Sequence, residues 1–125
     1  LACSSAVASI GIFEDEGVLD QARHLGDDII GPALRDMAAR HASIGEVRGL
    51  GVFWAVELVS DPTTREPAPV ATVAAVVAEC KKHGMWPMMA ANRIHVVPPC
   101  NTPDDVARDG LAILDAALAL ADAAM

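Results

Sequence analysis

Apolar residues recur along this chain at two different periods, and the changes of period mark its elements. From Asp15 to His41 the period is helical. Val18, Ala22, Leu25, Ile29, Ala33 and Met37 fall at intervals of three and four, Leu19, Ile30 and Leu34 widen the stripe, and Asp27, Asp28, Arg35, Asp36 and Arg40 take the other face. Gly31-Pro32 lies inside that pattern and is expected to kink the helix or split it in two. Ahead of it, Leu1 to Glu14 predicts a helix through Leu1, Ser5, Ala8 and Ile12. Gly45, Gly49 and Gly51 then interrupt the pattern, and the period changes. Val52 to Val59 is almost continuously apolar, with Glu57 its one charge, and predicts a strand buried on both faces. Ser60 to Pro69 reads as a loop.

Val70 to His83 returns to helical spacing through Val70, Val73, Val77 and Cys80, with Lys81, Lys82 and His83 in the last turn and Gly84 as the residue that ends it. Met85 to Met89 predicts a short strand that Pro87 confines to an edge or a bulge, and Ala90 to Asn92 turns the chain. Asn92 to Cys100 is a further strand, closed by Pro98-Pro99. Alternation puts Arg93, His95 and Val97 on one face and Ile94 and Val96 on the other. Thr102 as N-cap, Pro103 at the first helical position and Asp104 and Asp105 in the first turn predict a last helix running to about Asp122. Its expected stripe is Val106, Gly110, Ile113, Ala117 and Leu120, supported by Leu111, Leu114 and Leu118. The order helix, helix, strand, helix, strand, strand, helix predicts an α+β fold, a two-layer domain with helices packed on a short, mainly antiparallel sheet.

Composition narrows the function classes. The 125 residues suffice for one domain with a core and are too few for two. With 53% hydrophobic and 21% charged residues the chain has the means to fold. A formal net charge of −8, no tyrosine and a closest basic run of only Lys81-Lys82 argue against nucleic acid and anionic membrane as partners. Cys3, Cys80 and Cys100 are far apart and show no metal-ligand spacing, which fits free thiols of a cytoplasmic protein. No apolar run reaches membrane-spanning length. The chain opens on Leu1 inside a predicted helix, so it is expected to be a fragment of a longer protein, with residues 1–14 a helix linking to a further domain and residues 15–125 the domain itself.

No set of residues forms a self-sufficient catalytic constellation. Ser4 and Ser5 lie in a predicted helix without a His or Asp at a meaningful spacing, and His24, His41 and His83 fall on helix faces or ends, where surface or capping roles outweigh metal binding. Gly49-Leu50-Gly51 lacks the strand-before, helix-after context of a phosphate loop and is read as tight backbone packing. Arg48 beside it is expected to anchor the loop to carbonyls or a carboxylate. Glu57, a carboxylate inside an apolar strand, requires a partner. Arg93 or His95 is the candidate, and two readings stay open for that cationic face: a structural ion pair with Glu57, or a binding surface whose guanidinium matches a carboxylate or phosphate.

Several segments, read in order, resemble the C-terminal part of the class III, pyridoxal-phosphate-dependent aminotransferases. They are Leu1-Ala2-Cys3-Ser4-Ser5-Ala6, then Ile44-Gly45-Glu46-Val47-Arg48-Gly49-Leu50-Gly51, then Val56-Glu57-Leu58, and last Arg93-Ile94-His95-Val96-Val97-Pro98-Pro99 with a helix starting at Thr102. The resemblance spans essentially the whole chain. It implies the small domain of a fold-type-I aminotransferase, pyridoxal 5'-phosphate as cofactor, an amino donor and a keto acid as substrates, and a homodimer. It also implies that the Schiff-base lysine lies upstream of this chain. Lys81 and Lys82, on a helix end, do not match that lysine's context, so the chain alone is expected to be inactive and to contribute substrate-binding residues only, Arg93 and His95. In one respect the chain departs from the resemblance. Many relatives place an arginine three residues before the proline pair, where this chain has His95, and some place one further upstream, at a place that falls near Met88. The alternative from another class is a small α+β anion-binding, regulatory or dimerisation module without catalysis.

Overall fold

A computed structural model describes residues 1–125. The long amphipathic segment forms three consecutive helical pieces: α2 (Val18–His24), a single wider π-helical turn (Leu25–Ile30) and α3 (Gly31–Arg40). The expected break at Gly31-Pro32 takes the form of a change from the π-helical turn to α3 at Gly31, with the backbone helical through Ile30 and Gly31. Pro32 has no N–H to donate and its ring crowds the carbonyl one turn back, and the wider turn immediately ahead of it absorbs that mismatch. Leu25, Ile29 and Ile30 of this turn, with Leu34 and Met37 of α3, face the core as their spacing predicts, whereas Leu19 is exposed. Ahead of them, α1 (Ala2–Asp15) ends where Gly17 adopts φ +60°. None of its residues is buried, and Val7, Ile10 and Phe13 stand exposed.

The sheet has the order β1 (Ile44–Leu50), β2 (Phe53–Asp61), β5 (Arg93–Val96), β4 (Met88–Ala90), with every pairing antiparallel, and a two-residue strand β3 (Glu66–Pro67) beside the far end of β2. β2 (Phe53–Asp61) is the central strand anticipated at Val52–Val59. The glycine-rich stretch before it is a strand in its own right, β1 (Ile44–Leu50), which the sequence pattern did not predict. Its glycines hide it. A Cβ on Gly49 would come within 2.4 Å of the Trp54 ring, and one on Gly45 within 2.5 Å of Val59, so glycine there is the condition for neighbouring side chains to lie across the strand. Gly51, at φ +54°, opens the two-residue turn that joins β1 to β2, with Leu50 opposite Phe53.

α4 (Val70–Lys82) buries Val73, Val76, Val77 and Cys80, while Val70 at its first position remains exposed. Gly84 ends it as predicted: it takes φ +95°, its N–H donates to the Lys81 carbonyl at 3.2 Å and the Met85 N–H reaches the Cys80 carbonyl at 3.0 Å, the two bonds of a Schellman motif. β4 (Met88–Ala90) is an edge strand, as Pro87 requires, and turns through Ala91, at φ +53°, into β5 (Arg93–Val96). The last helix, α5 (Asp104–Asp122), starts one residue later than anticipated. Thr102 is not its cap; the Thr102 hydroxyl donates to the Pro99 carbonyl at 2.8 Å, and Pro103 supplies the first intrahelical acceptor. The buried stripe of α5 is Ala107, Leu111, Leu114, Ala117, Leu118 and Ala121: Ala117 and the three supporting leucines face the core as expected, but the stripe is rotated by about one position, so Val106 and Leu120 lie outside the core.

The predicted α+β architecture is thus present. Helices cover one face of an open antiparallel sheet, packing on Trp54, Val56, Leu58, Ile94 and Val96. The opposite face carries Leu50, Phe53, Glu57, Arg93, His95 and Met88, and leaves Leu50, Phe53 and Met88 exposed.

Candidate functional site

The register of β5 decides what its two basic residues meet. His95 stands between Ala55 of β2 and Met88 of β4, and Arg93 stands between Glu57 and Ala90. Both point away from the core, which takes Ile94 and Val96 instead, as the strand alternation predicts.

Glu57 finds its partner elsewhere than on β5. Arg48 of β1 donates to it at 2.9 Å and to Glu46 at the same distance, and the Asn92 side-chain amide donates at 3.4 Å. The Arg48 hydrogen bond holds the Glu57 carboxyl below the usual carboxylate range against the opposing effect of burial, with help from Asn92 and from the charge of Arg93. Arg93 therefore acts on Glu57 as a nearby charge only. Its own hydrogen bond is a 3.4 Å contact from Nε to the Ala90 carbonyl. The anchoring of Arg48 to a carboxylate is as anticipated; the pairing of Glu57 with Arg93 or His95 is replaced by the pair with Arg48.

His95 and Arg93 also part company in what they line. A cavity of about 760 Å³ opens at the end of the sheet where β5 leaves it, and His95 lines it while Arg93 does not. Phe53, Trp86, Met88 and Pro98 form its walls on the sheet side, and Val106 and Ile113 of α5 close the other side. The Phe53 and His95 rings lie 6.0 Å apart between centroids, tilted by 58°. His95 Nδ1 is buried without a hydrogen-bond partner, a rare state for a polar atom and one that a bound group or a turn of the ring would relieve. Met88 is the cross-strand neighbour of His95.

Neither of the chain's two lysines lines the cavity. Lys82 Nζ pairs with Glu79 at 2.6 Å and Lys81 Nζ sits 5.0 Å from the centroid of the Trp86 ring, both at the exposed end of α4. Neither has a buried, polar-lined setting that would hold a cofactor aldehyde. Three cysteines are free: Cys3 is exposed, Cys100 half-buried, and Cys80 buried with its thiol pushed up by that burial. No group of His, Cys, Asp and Glu side chains is arranged to hold a metal ion.

Sequence reasoning missed two parts of the site. The apolar outer side of α5, through Val106, Gly110 and Ile113, was taken for core and is cavity wall. His24 and His41 are more than surface or capping residues. Each bridges two carboxylates, Asp28 and Asp104 for His24, Asp115 and Asp122 for His41. The signal for this was available, because Asp104, Asp115 and Asp122, spaced by eleven and seven residues, fall on one side of a helix.

The family model for class-III aminotransferases matches residues 1–118. The chain belongs to the class-III aminotransferases. Among its relatives, a taurine–pyruvate aminotransferase of Rhodobacter capsulatus is 42% identical over 99 residues, which are 79% of this chain and 21% of that protein. A 5-aminovalerate aminotransferase of Pseudomonas aeruginosa is 33% identical over 117 residues, 91% of this chain and 27% of that protein. An amine transaminase from an uncultivated Pseudomonas species, solved in its pyridoxal-phosphate-bound form, superposes with a TM-score of 0.87 at 32% identity, covering 94% of this chain and 27% of that one. This class-III aminotransferase chain thus spans between about a fifth and about three tenths of the length of the relatives it matches.

Proposed function

We propose that residues 15–125 are the C-terminal small domain of a pyridoxal-phosphate-dependent transaminase, that residues 1–14 are the end of a helix leading to its large domain, and that His95 is the substrate-reading residue of this part. The observation that carries the reading is the placement of His95, with its unpartnered Nδ1, in the wall of the cavity at the end of β5. Family membership supports the reaction class. Pyridoxal phosphate supplies the electron sink for moving an amino group from a donor to a keto acid. The residues of this chain do not by themselves form a site for it, since both lysines sit on an exposed helix end. The cofactor and its lysine are assigned to chain outside residues 1–125. The exposed face of α1, with Val7, Ile10 and Phe13, supports its role as a linking helix, and a homodimer follows from the resemblance to the family. No helix is long and apolar enough to cross a membrane, and a cytoplasmic setting fits the free thiols.

For the substrate, His95 makes the contact, and Arg93, on the same face of β5 but outside the cavity lining, contributes charge only. A relative of Caenorhabditis elegans named ethanolamine-phosphate phospho-lyase homolog 1, 34% identical over 85 residues, shows which other outcome the assay must separate. The test is steady-state kinetics of the complete polypeptide with a panel of amines and ω-amino acids, each with pyruvate or 2-oxoglutarate. Product formation is expected to require the keto acid, and His95→Ala is expected to raise the KM for the donor about tenfold or more, on the scale of one lost polar contact, with Arg93→Ala changing it less. Amine consumption without any acceptor contradicts the transaminase reading. A KM that responds to Arg93→Ala and not to His95→Ala contradicts the assignment of His95.

A further inference from the structure

α5 is tied to the α2–α3 arm near both ends by histidines that each sit between two carboxylates. His24 Nδ1 lies 2.8 Å from Asp28, and its Nε2 lies 2.9 Å from Asp104 at the start of α5. His41 Nδ1 lies 2.6 Å from Asp122, and its Nε2 lies 2.8 Å from Asp115. A neutral imidazole carries one N–H and one lone pair, so in either tautomer one nitrogen would face a carboxylate oxygen with no proton between them. Only the imidazolium donates to both partners.

The surrounding groups sharpen this. Arg40 of α3 also donates to Asp115, at 2.9 Å, and to Asp36. Asp122 accepts from both the N–H and the hydroxyl of Ser43 on its other oxygen. Near His24 the remaining charged pair is Arg23 with Asp20, one turn away on α2. Two carboxylates thus face each ring, and Arg40 shares one of them, Asp115, with His41 while also pairing with Asp36. His41 is the more enclosed, with 11% of its side chain exposed against 41% for His24.

What these contacts hold in place is the cavity wall. Val106, Gly110 and Ile113 line the cavity, and they lie between Asp104, which His24 holds, and Asp115, which His41 holds. We propose that His24 and His41, each an imidazolium between paired aspartates, are positioning residues that fix the α5 wall of the cavity, and that this wall shifts when they lose their protons. The proposal rests on the contacts alone and is independent of the reaction assigned to the cavity.

The directions of ionisation agree. Burial opposes the charge of His41, but its hydrogen bonds with Asp122 and Asp115 outweigh that and raise its pKa; for His24 the hydrogen bond with Asp104 leads, followed by that with Asp28. Asp115 and Asp122 are both lowered, burial opposing and the hydrogen bonds from His41, Arg40 and Ser43 prevailing. A histidine raised in the folded state adds stability that is complete below its ordinary range and is lost as pH rises through the raised value. A lowered aspartate adds stability that is lost as pH falls through the lowered value. The α5 attachment is therefore complete above the ordinary aspartate range and below the ordinary histidine range, and it weakens as pH rises through the raised histidine values.

Side-chain ¹⁵N NMR of the histidines, with methyl spectra recorded over the same pH series, tests the proposal on this chain. His24 and His41 are expected to titrate with midpoints above the ordinary histidine range, with both ring nitrogens protonated below those midpoints, and the Val106 and Ile113 methyl resonances are expected to move with the His41 midpoint. His41→Gln should abolish that step, and Asp122→Asn, which keeps the ring, should lower the His41 midpoint. A midpoint of either histidine at or below the ordinary histidine range overturns the proposal. Methyl resonances that stay fixed while His41 titrates overturn it equally.

Discussion

At the scale of the residue, two arginines and one histidine on neighbouring strands carry different tasks despite similar sequence settings. Arg48 is tied to Glu57 and Glu46 at 2.9 Å, and Arg93 reaches only a backbone carbonyl. Arg48→Ala is therefore expected to lower the thermal midpoint more than Arg93→Ala, read side by side by circular dichroism; equal losses, or the reverse order, contradict the assignment of Glu57 to Arg48. The sequence could say that Glu57 needs a partner because an ionised carboxylate in an apolar strand requires one. It could not say which. Glu57 faces Arg93 across one strand pair and Glu46 across the other, and the choice depends on how far the longer reach of Arg48 carries from the next row of β1. The facing of Arg93 and His95 away from the core was legible, since alternation in a strand leaves no other option once Ile94 and Val96 are inside. That only His95 would line the cavity was not, because the cavity is made by Trp86, Pro98 and α5 rather than by the strand itself.

At the scale of the element, glycines explain both what was read and what was missed. Gly84 was legible as a helix end because a left-handed residue after a basic last turn has a known local geometry. β1 was not, because Gly45 and Gly49 remove the strand signal for reasons that lie on β2, in Trp54 and Val59. The same logic applies to the π-helical turn. A Cβ on Gly26 would fall 2.3 Å from the Gly51 carbonyl oxygen, backbone against backbone, where no rotamer change gives relief. Gly26→Ala is expected to cost about 1–3 kcal/mol, as overpacking does elsewhere, measured by denaturant unfolding. A neutral effect would mean that the contact between this turn and the β1–β2 hairpin is looser than described. The rotation of the α5 stripe by one residue has a comparable origin. Val106 and Ile113 both line the cavity, Ile113 packing against the core as well, and a helix with apolar residues on both sides gives periodicity little to decide with.

At the scale of the whole molecule, the helices on one face and an open, partly charged sheet face on the other were predictable from the order of elements. The functional reading was not predictable from that architecture, which many unrelated proteins share. It came from segments in sequence order, Ile44 to Gly51 and Arg93 to Pro99, and the match of the class-III aminotransferase model to residues 1–118 bears out that resemblance. The remaining claim concerns division of labour: this chain supplies a wall of the substrate cavity, and the cofactor's lysine lies on other chain. The most direct test is reduction of the complete polypeptide with borohydride in the presence of pyridoxal phosphate, followed by peptide mapping of the modified lysine. The modified residue is predicted to lie outside residues 1–125. Stoichiometric modification of Lys81 or Lys82 would contradict the account.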